Sequence, residues 1–151
     1  MSEHLYKRHN KTLLLYHLVF PLKYRKSVIS DEIGESLRAI CIEISKRYEV
    51  QFVEIGYESD HVHFLVQSVP DYAVSKMVGM LKSVTAKKLF QKHPEIKSLL
   101  WGGNFWTSGF YANTVGQYSN EEVIRAYVAS LPLDLYKQYT QDRIRTYLSS
   151  L

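Results

Sequence analysis

Apolar positions along the chain change period several times, and each change marks a predicted element. Residues 12–20, TLLLYHLVF, are leucine, β-branched and aromatic and stop at Pro21, the pattern of a strand buried on at least one face. Behind Ser30, a natural N-cap, Ile33, Leu37, Ile40, Cys41, Ile44 and Tyr48 recur at three- and four-residue spacing and predict an amphipathic helix. Residues 50–57 alternate, with Val53, Ile55 and Tyr57 on one side, and the polar link Glu58-Ser59-Asp60 leads into His61–Gln67, so two paired strands are expected. After Pro70 the apolar residues Val74, Met77, Val78, Leu81 and Val84 return to a helical period as far as Leu89. The aromatic, glycine-containing stretch 101–116, with Phe105, Trp106, Phe110, Tyr111 and Val115, predicts a fourth strand or a bent strand pair. Ser119-Asn120-Glu121-Glu122 has capping-box spacing, and Val123, Ile124, Tyr127 and Val128 give the next helix an apolar face until Pro132 stops it. Residues 134–151 have room for one more helix.

The order strand, helix, strand, strand, helix, strand, helix is the split βαβ pattern of α+β, ferredoxin-like (RRM-like) sandwiches: an antiparallel sheet with helices on one face and the other face left for function. A C-terminal, tyrosine-bearing helix follows that core. No repeat, low-complexity tract or Gly/Ser linker interrupts the 151 residues, so a single domain over 1–151 is expected, with a core at about 12–131 and a helical tail at about 133–151. A composition of 46% hydrophobic and 23% charged residues suits a globular domain. Cys41 is the sole cysteine, which excludes an internal disulfide, and the start has no basic segment followed by an apolar one; a cytoplasmic location is the expectation. The longest apolar run near the start, Leu13–Tyr16, is far shorter than the roughly 20 residues of a membrane span.

The net charge of +4 hides a segregation. Residues 4–30 carry Lys7, Arg8, Lys11, Lys23, Arg25 and Lys26, and residues 72–94 carry Lys76, Lys82, Lys87, Lys88 and Lys92, with no acid in either window. All 15 acids therefore share the rest of the chain with 8 of the 19 cations. A basic surface set apart from an acidic one fits a polyanionic partner such as a phosphate backbone, while a lysine-rich solvated face is the plainer alternative.

His61 and His63 stand two apart on a predicted strand, so both imidazoles project from one face while Val62, Phe64 and Val66 project from the other. Two adjacent imidazoles suit a divalent metal and leave coordination positions for other oxygens. A His-apolar-His triplet is nevertheless a common pattern, and by itself it reads first as two half-buried strand histidines. Tyr127, on an apolar helical stripe, reads by itself as a core residue. His4 and His9 near the start, His17 in mid-strand and His93 before Pro94 in a loop are assigned no chemistry.

Four segments taken together are more specific. Residues 16–25, YHLVFPLKYR; residues 60–66, DHVHFLV; residues 105–111, FWTSGFY, with Thr114-Val115-Gly116; and Tyr127 resemble, in order and spacing, the single-tyrosine HUH transposases of the insertion sequence 200/605 type. The resemblance spans about residues 12–131. It implies a transposase that cleaves and rejoins single-stranded DNA, recognises hairpins near the ends of its element, and works as a homodimer with Mg²⁺ or Mn²⁺. His61 and His63 match the metal-holding histidines and Tyr127 the nucleophile, whose attack would leave a 5′-phosphotyrosine and a free 3′-hydroxyl. Lys23, Tyr24 and Arg25 match the basic segment after the first strand; Lys82, Lys87 and Lys88 are expected at backbone phosphates, and Tyr24 or Trp106 could stack on bases. One bond is exchanged for another, so no nucleotide is needed, and the chain has no Gly-rich Lys-Ser/Thr phosphate loop.

One position departs from the family pattern. Four residues after the tyrosine the family usually places an oxygen ligand; here Leu131 stands there, followed by Pro132. Asp134, Glu54, Asp60 or water remain open as substitutes. The alternative reading is a domesticated or inactive relative that binds single-stranded nucleic acid, including one acting on dispersed palindromic repeats.

Overall fold

The structure is a computed structural model that describes residues 5–7, 10–12, 14–100, 103–114 and 148–149. A short hairpin, β1 (Leu5–Lys7) with β2 (Asn10–Thr12), precedes the main sheet. The core then runs β3 (Leu14–Pro21), α1 (Asp31–Arg47), β4 (Gln51–Glu58), β5 (His61–Ser68), α2 (Val74–Lys92), the single-turn α3 (Ile96–Leu99) and β6 (Tyr111–Thr114). The sheet order is β4-β5-β3-β6, antiparallel throughout. Helix α1 therefore crosses from β3 to β4, and β5 fills the gap between them; α2 crosses over β3 to reach β6. This is the expected α+β, split βαβ arrangement.

Local chemistry explains the boundaries. The Ser30 hydroxyl accepts a hydrogen bond from the Ile33 amide at 3.3 Å, Asp31 and Glu32 occupy the first turn of α1, and Lys46 and Arg47 occupy its last, all favourable to the helix dipole. The faces of β3 and β5 divide by alternation. Leu18 and Phe20 of β3 and Val62, Phe64 and Val66 of β5 pack with Leu37, Ile40 and Ile44 of α1 and Met77, Val78 and Leu81 of α2 in one hydrophobic core. Phe64 meets Phe20 and Phe52 edge to face, with ring centroids 5.4 and 5.3 Å apart. Cys41 is buried in this core, which pushes its thiol pKa up to about 12 and leaves it inert as a nucleophile.

Several details differ from the pattern in the sequence. Residues 10–12 pair in the first hairpin rather than extending the central strand, which begins at Leu14. The register of β4 against β5 shifts between Phe52 and Glu54, so Phe52, not Val53, joins Ile55 and Tyr57 on the core side; a bulge reverses the alternation that a regular strand would keep. In residues 101–116 the described strand is only Tyr111–Thr114, supplemented by an isolated bridge between Leu22 and Trp106. His93 is no loop residue: it caps α2, is buried, and its Nε2 lies 2.8 Å from the Ser36 hydroxyl, tying the end of α2 to α1. The expected helices after Ser119 lie outside the described residues, apart from Leu148 and Ser149, which are helical.

Gly34 shows how tightly α1 sits on the sheet. A Cβ at this position would overlap the Tyr57 ring, whose hydroxyl reaches Asp31 and Glu35 at 3.3 Å each. Gly34→Ala is thus expected to lower the thermal midpoint, because overpacking of roughly 1–3 kcal/mol exceeds the helix-propensity gain of about 1 kcal/mol. In a Tyr57→Ala background the same substitution should raise the midpoint, and calorimetry of the four proteins in the cycle checks the sign reversal.

Candidate active site

Strand β5 is interior to the sheet, paired with β3 on one side and β4 on the other, so the facing of each residue is fixed. Val62, Phe64 and Val66 are committed to the core, and His61 and His63 share the opposite face. Across that face Pro21 is opposite His61, Val19 opposite His63, and His17 opposite Leu65; Tyr111 and Asn113 of β6 continue the Val19 and His17 rows. On the other flank Glu58 is opposite His61, Gly56 opposite His63, and Glu54 opposite Leu65. The face is far from open: Leu15, His17, Val19, Leu65 and Gln67 are all buried, although the three apolar ones lie outside the hydrophobic core beneath the helices.

The two histidines are held by different means. His61 is 6% exposed, and its Nδ1 lies 2.8 Å from Asp60 Oδ1, while its Nε2 is buried with no hydrogen-bond partner among the described residues. Asp60 Oδ2 in turn accepts from Arg25 Nη2 at 3.0 Å. Burial works to raise the Asp60 pKa, but the hydrogen bonds and charges of His61 and Arg25 outweigh it and hold the carboxyl below its usual range. The His63 ring lies over Gly56, where a Cβ would collide with it. Burial, followed by the neighbouring His61, His17 and Arg38 charges, lowers the His63 pKa to about 4. At neutral pH His63 is therefore an uncharged imidazole, the form that can donate to a metal.

The hairpin carrying this pair is fastened to the segment after β3. The Leu22 amide donates to the Asp60 carbonyl at 2.9 Å, and the Val28 and Ile29 amides both donate to the Ser59 carbonyl at 2.9 Å. Between those anchors Lys23–Arg25 forms a 3₁₀ turn in which Tyr24 (φ 60°) and Arg25 (φ 51°) adopt left-handed geometry, a cost of roughly 1–2 kcal/mol for each non-glycine residue. Tyr24 is 64% exposed, with the Lys23 ammonium 5.4 Å from its ring centroid.

The other expected contact residues separate. Lys82 is half-buried and already engaged: its ammonium donates to the Thr107 and Gly109 carbonyls at 2.7 Å each and lies within about 5.6 Å of the Phe20 and Phe110 ring centroids. Burial lowers its pKa. Trp106 is buried as well, donating from Nε1 to the Thr85 hydroxyl at 3.0 Å, so it is a core ring and no stacking platform. Lys87 and Lys88 line a groove of about 550 Å³ between α1 and α2 together with Arg47 and Lys92, in the helical layer rather than on the histidine face. Tyr127 and Leu131 lie outside the described residues. Among the described residues no three His, Cys, Asp or Glu side chains gather as a metal cage, so Glu54 does not complete the histidine pair, and the Asp60 carboxylate lies against His61 Nδ1.

One site residue and one site contact were missed in the sequence. Gly56 provides the room for His63, and its signal is a glycine in mid-strand, placed opposite the histidine by the two-residue hairpin link. Arg25, expected at DNA, also meets Asp60, a contact between residues 35 positions apart that no local pattern announces.

An α+β sheet with paired imidazoles on a central strand and a cationic turn beside them defines the class of domain, and comparison with known proteins supplies the family. Residues 10–130 match the family described as Transposase IS200 like. The chain is 32% identical over 117 residues to the ISDra2 transposase TnpA of Deinococcus radiodurans, covering 78% of this chain and 83% of that protein. It is 28% identical over 120 residues to the transposase for insertion sequence element IS200 of Salmonella typhimurium, covering 80% and 78%. A crystal structure of a candidate transposase from Deinococcus radiodurans R1 superposes with a TM-score of 0.68 at 28% identity, covering 83% of this chain and 96% of that one. The REP-associated tyrosine transposase bound to a REP hairpin shares the fold, with a TM-score of 0.51 at 16% identity over 91% and 74% of the chains. The chain belongs to the IS200-like transposase family, and its class of activity is that of a DNA-processing transposase. Among the described residues no helix is long and apolar enough to cross a membrane.

The neutral state of His63 makes stability depend on pH. Its folded pKa of about 4 lies below the unfolded value near 6.5, so its contribution is complete above about 6.5 and is lost as the pH falls towards 4. In EDTA, the unfolding free energy from urea titrations should fall across that window by an amount on the order of 2 kcal/mol in wild type and by distinctly less in His63→Gln. Gly56→Ala should displace the His63 ring, and an unchanged His63 imidazole NMR spectrum in that variant would contradict the packing described here.

Proposed function

We propose that the protein is a single-strand DNA transposase of the HUH, single-tyrosine type. The observation that carries this reading is the imidazole pair on β5, with His63 neutral and His61 presenting a buried Nε2 that has no partner among the described residues. A buried polar atom without a partner is costly, and this pair fits a divalent cation, Mg²⁺ or Mn²⁺, held by His61 and His63. When bound, such a cation would polarise the scissile phosphate as a Lewis acid.

The chain's own residues account for the rest of the proposed reaction. The Tyr127 oxygen forms a bond to phosphorus as the P–O3′ bond breaks, and the proton lost by the phenol ends on the departing 3′ oxygen. A 5′-phosphotyrosine and a free 3′-hydroxyl result, and the reverse step on another strand restores the phosphodiester without a nucleotide cofactor. Lys23 and the exposed Tyr24 lie on the turn fastened to the histidine hairpin, where a backbone phosphate and an unpaired base would be met. Lys87 and Lys88, with Arg47 and Lys92 and against the acid Glu43, give the α1–α2 groove a net cationic lining suited to the phosphates of a subterminal DNA hairpin. Lys82 enters as the strut that holds residues 107–109 to α2. The protein is proposed to act as a homodimer, in line with its family resemblance, and in the cytoplasm, where its DNA substrate lies. The second reading, a non-catalytic hairpin-binding relative, is favoured by one residue, Leu131, which offers no oxygen four positions after the tyrosine.

The test uses the purified chain with labelled single strands from both flanks of its own gene, in Mg²⁺, Mn²⁺ or EDTA, on denaturing gels. A covalent protein–DNA band is expected with metal, absent in EDTA and in Tyr127→Phe, and reduced at least ~100-fold in His63→Ala. Hairpin binding on native gels with no covalent band in any metal would establish the second reading instead.

A further inference from the structure

We infer that Asp60, clamped by Arg25, is a positioning residue that fixes His61 as the Nδ1–H tautomer and thereby turns its Nε2 into a ready metal donor. This rests on the proposed function, in which His61 holds a cation. The geometry is a relay across one end of the sheet: Arg25 Nη2 to Asp60 Oδ2 at 3.0 Å, and His61 Nδ1 to Asp60 Oδ1 at 2.8 Å. An ionised carboxylate only accepts hydrogen bonds, so the proton on this face of the ring belongs to Nδ1 and the lone pair is left on Nε2. The latter atom is buried and unpartnered among the described residues, as a reserved ligand atom would be.

Asp60 is itself immobilised. Its carbonyl accepts from the Leu22 amide, and the Ser59 carbonyl beside it accepts from Val28 and Ile29, so the two ends of the segment carrying Arg25 are fastened to the hairpin that Arg25 clamps. The left-handed pair Tyr24 and Arg25 reverses the chain between those anchors, which lets the guanidinium fold back onto Asp60 while the Tyr24 ring remains outward. One strained turn thus serves two purposes: it presents an aromatic ring to solvent and aligns a carboxylate behind a metal ligand. Outer-shell carboxylates of this kind commonly change metal affinity 10–100-fold when removed.

The test separates positioning from catalysis. Imidazole ¹⁵N NMR on the metal-free protein reports the His61 tautomer, and Mn²⁺ titration reports affinity without DNA. Wild type should show His61 protonated at Nδ1. Asp60→Ala should lose that preference and weaken Mn²⁺ binding ~10–100-fold, and Asp60→Asn, which keeps an acceptor, should recover part of the loss. Should Asp60→Ala fail to fold, Arg25→Ala carries the same test, with a mixed tautomer and weaker Mn²⁺ binding expected. Unchanged tautomer populations and Mn²⁺ affinity in these variants overturn the inference. If wild type binds no Mn²⁺ at His61 and His63, the metal reading fails separately, and the tautomer spectra still decide whether Asp60 positions the ring.

Discussion

The position of β5 inside the sheet is the constraint on which the rest depends. A strand paired on both sides cannot slip by one residue without exchanging its two faces, and here one face is Val62, Phe64 and Val66 against α1 and α2. The hydrophobic core therefore decides where His61 and His63 point. A slip that brought the histidines inward would bury two imidazoles in an apolar layer and expel three large apolar side chains. Site geometry and fold stability are the same choice of register.

The clamps around the β4–β5 hairpin refine that coarse placement. Backbone bonds from Leu22, Val28 and Ile29 fix the hairpin end, the Gly56 backbone leaves the space that the His63 ring fills, and the Asp60 carboxylate sits against His61. On the far side of β3, Lys82 and the Leu22–Trp106 bridge hold residues 105–109 in line with the sheet edge. A cation half-buried against two carbonyls and two aromatic rings is a structural fastener, which is why a lysine from an acid-free window need not be a phosphate contact.

The fold was legible because its periods were strong. The stripe Ile33, Leu37, Ile40, Ile44 behind a Ser30 cap, and the alternation through His61–Gln67, each admitted one element type, and the structure places α1 and β5 within a residue or two of the pattern. The bulge before Glu54 was not legible, since a single extra residue leaves the composition of the strand unchanged while reversing its faces. The histidine pair was legible as a shared face, but its surroundings were not. The Arg25–Asp60 pair joins residues far apart in sequence, and the engagement of Lys82 depends on where the carbonyls of Thr107 and Gly109 fall. Charge patterning identifies which segments are cationic; only tertiary structure tells which cations are free.

The local rules of chain folding are broken most densely in one place. Two successive non-glycine residues take left-handed geometry, a glycine interrupts the middle of a strand, one imidazole is kept neutral by burial and the other keeps a buried nitrogen unpaired among the described residues, all around the β4–β5 hairpin and the turn bolted to it. Each feature costs on the order of 1–3 kcal/mol, comparable together to a large part of a domain's net stability. Ser68, at the other end of β5, also has a hydroxyl without a partner among the described residues, but none of the other features accompanies it. Isolated violations are ordinary, whereas a cluster must be maintained by surrounding packing that could otherwise relax it, and such clusters are expected where a chain is organised for chemistry. The groove between α1 and α2 has cationic side chains without comparable strain, which suits binding of an extended anion by charge alone.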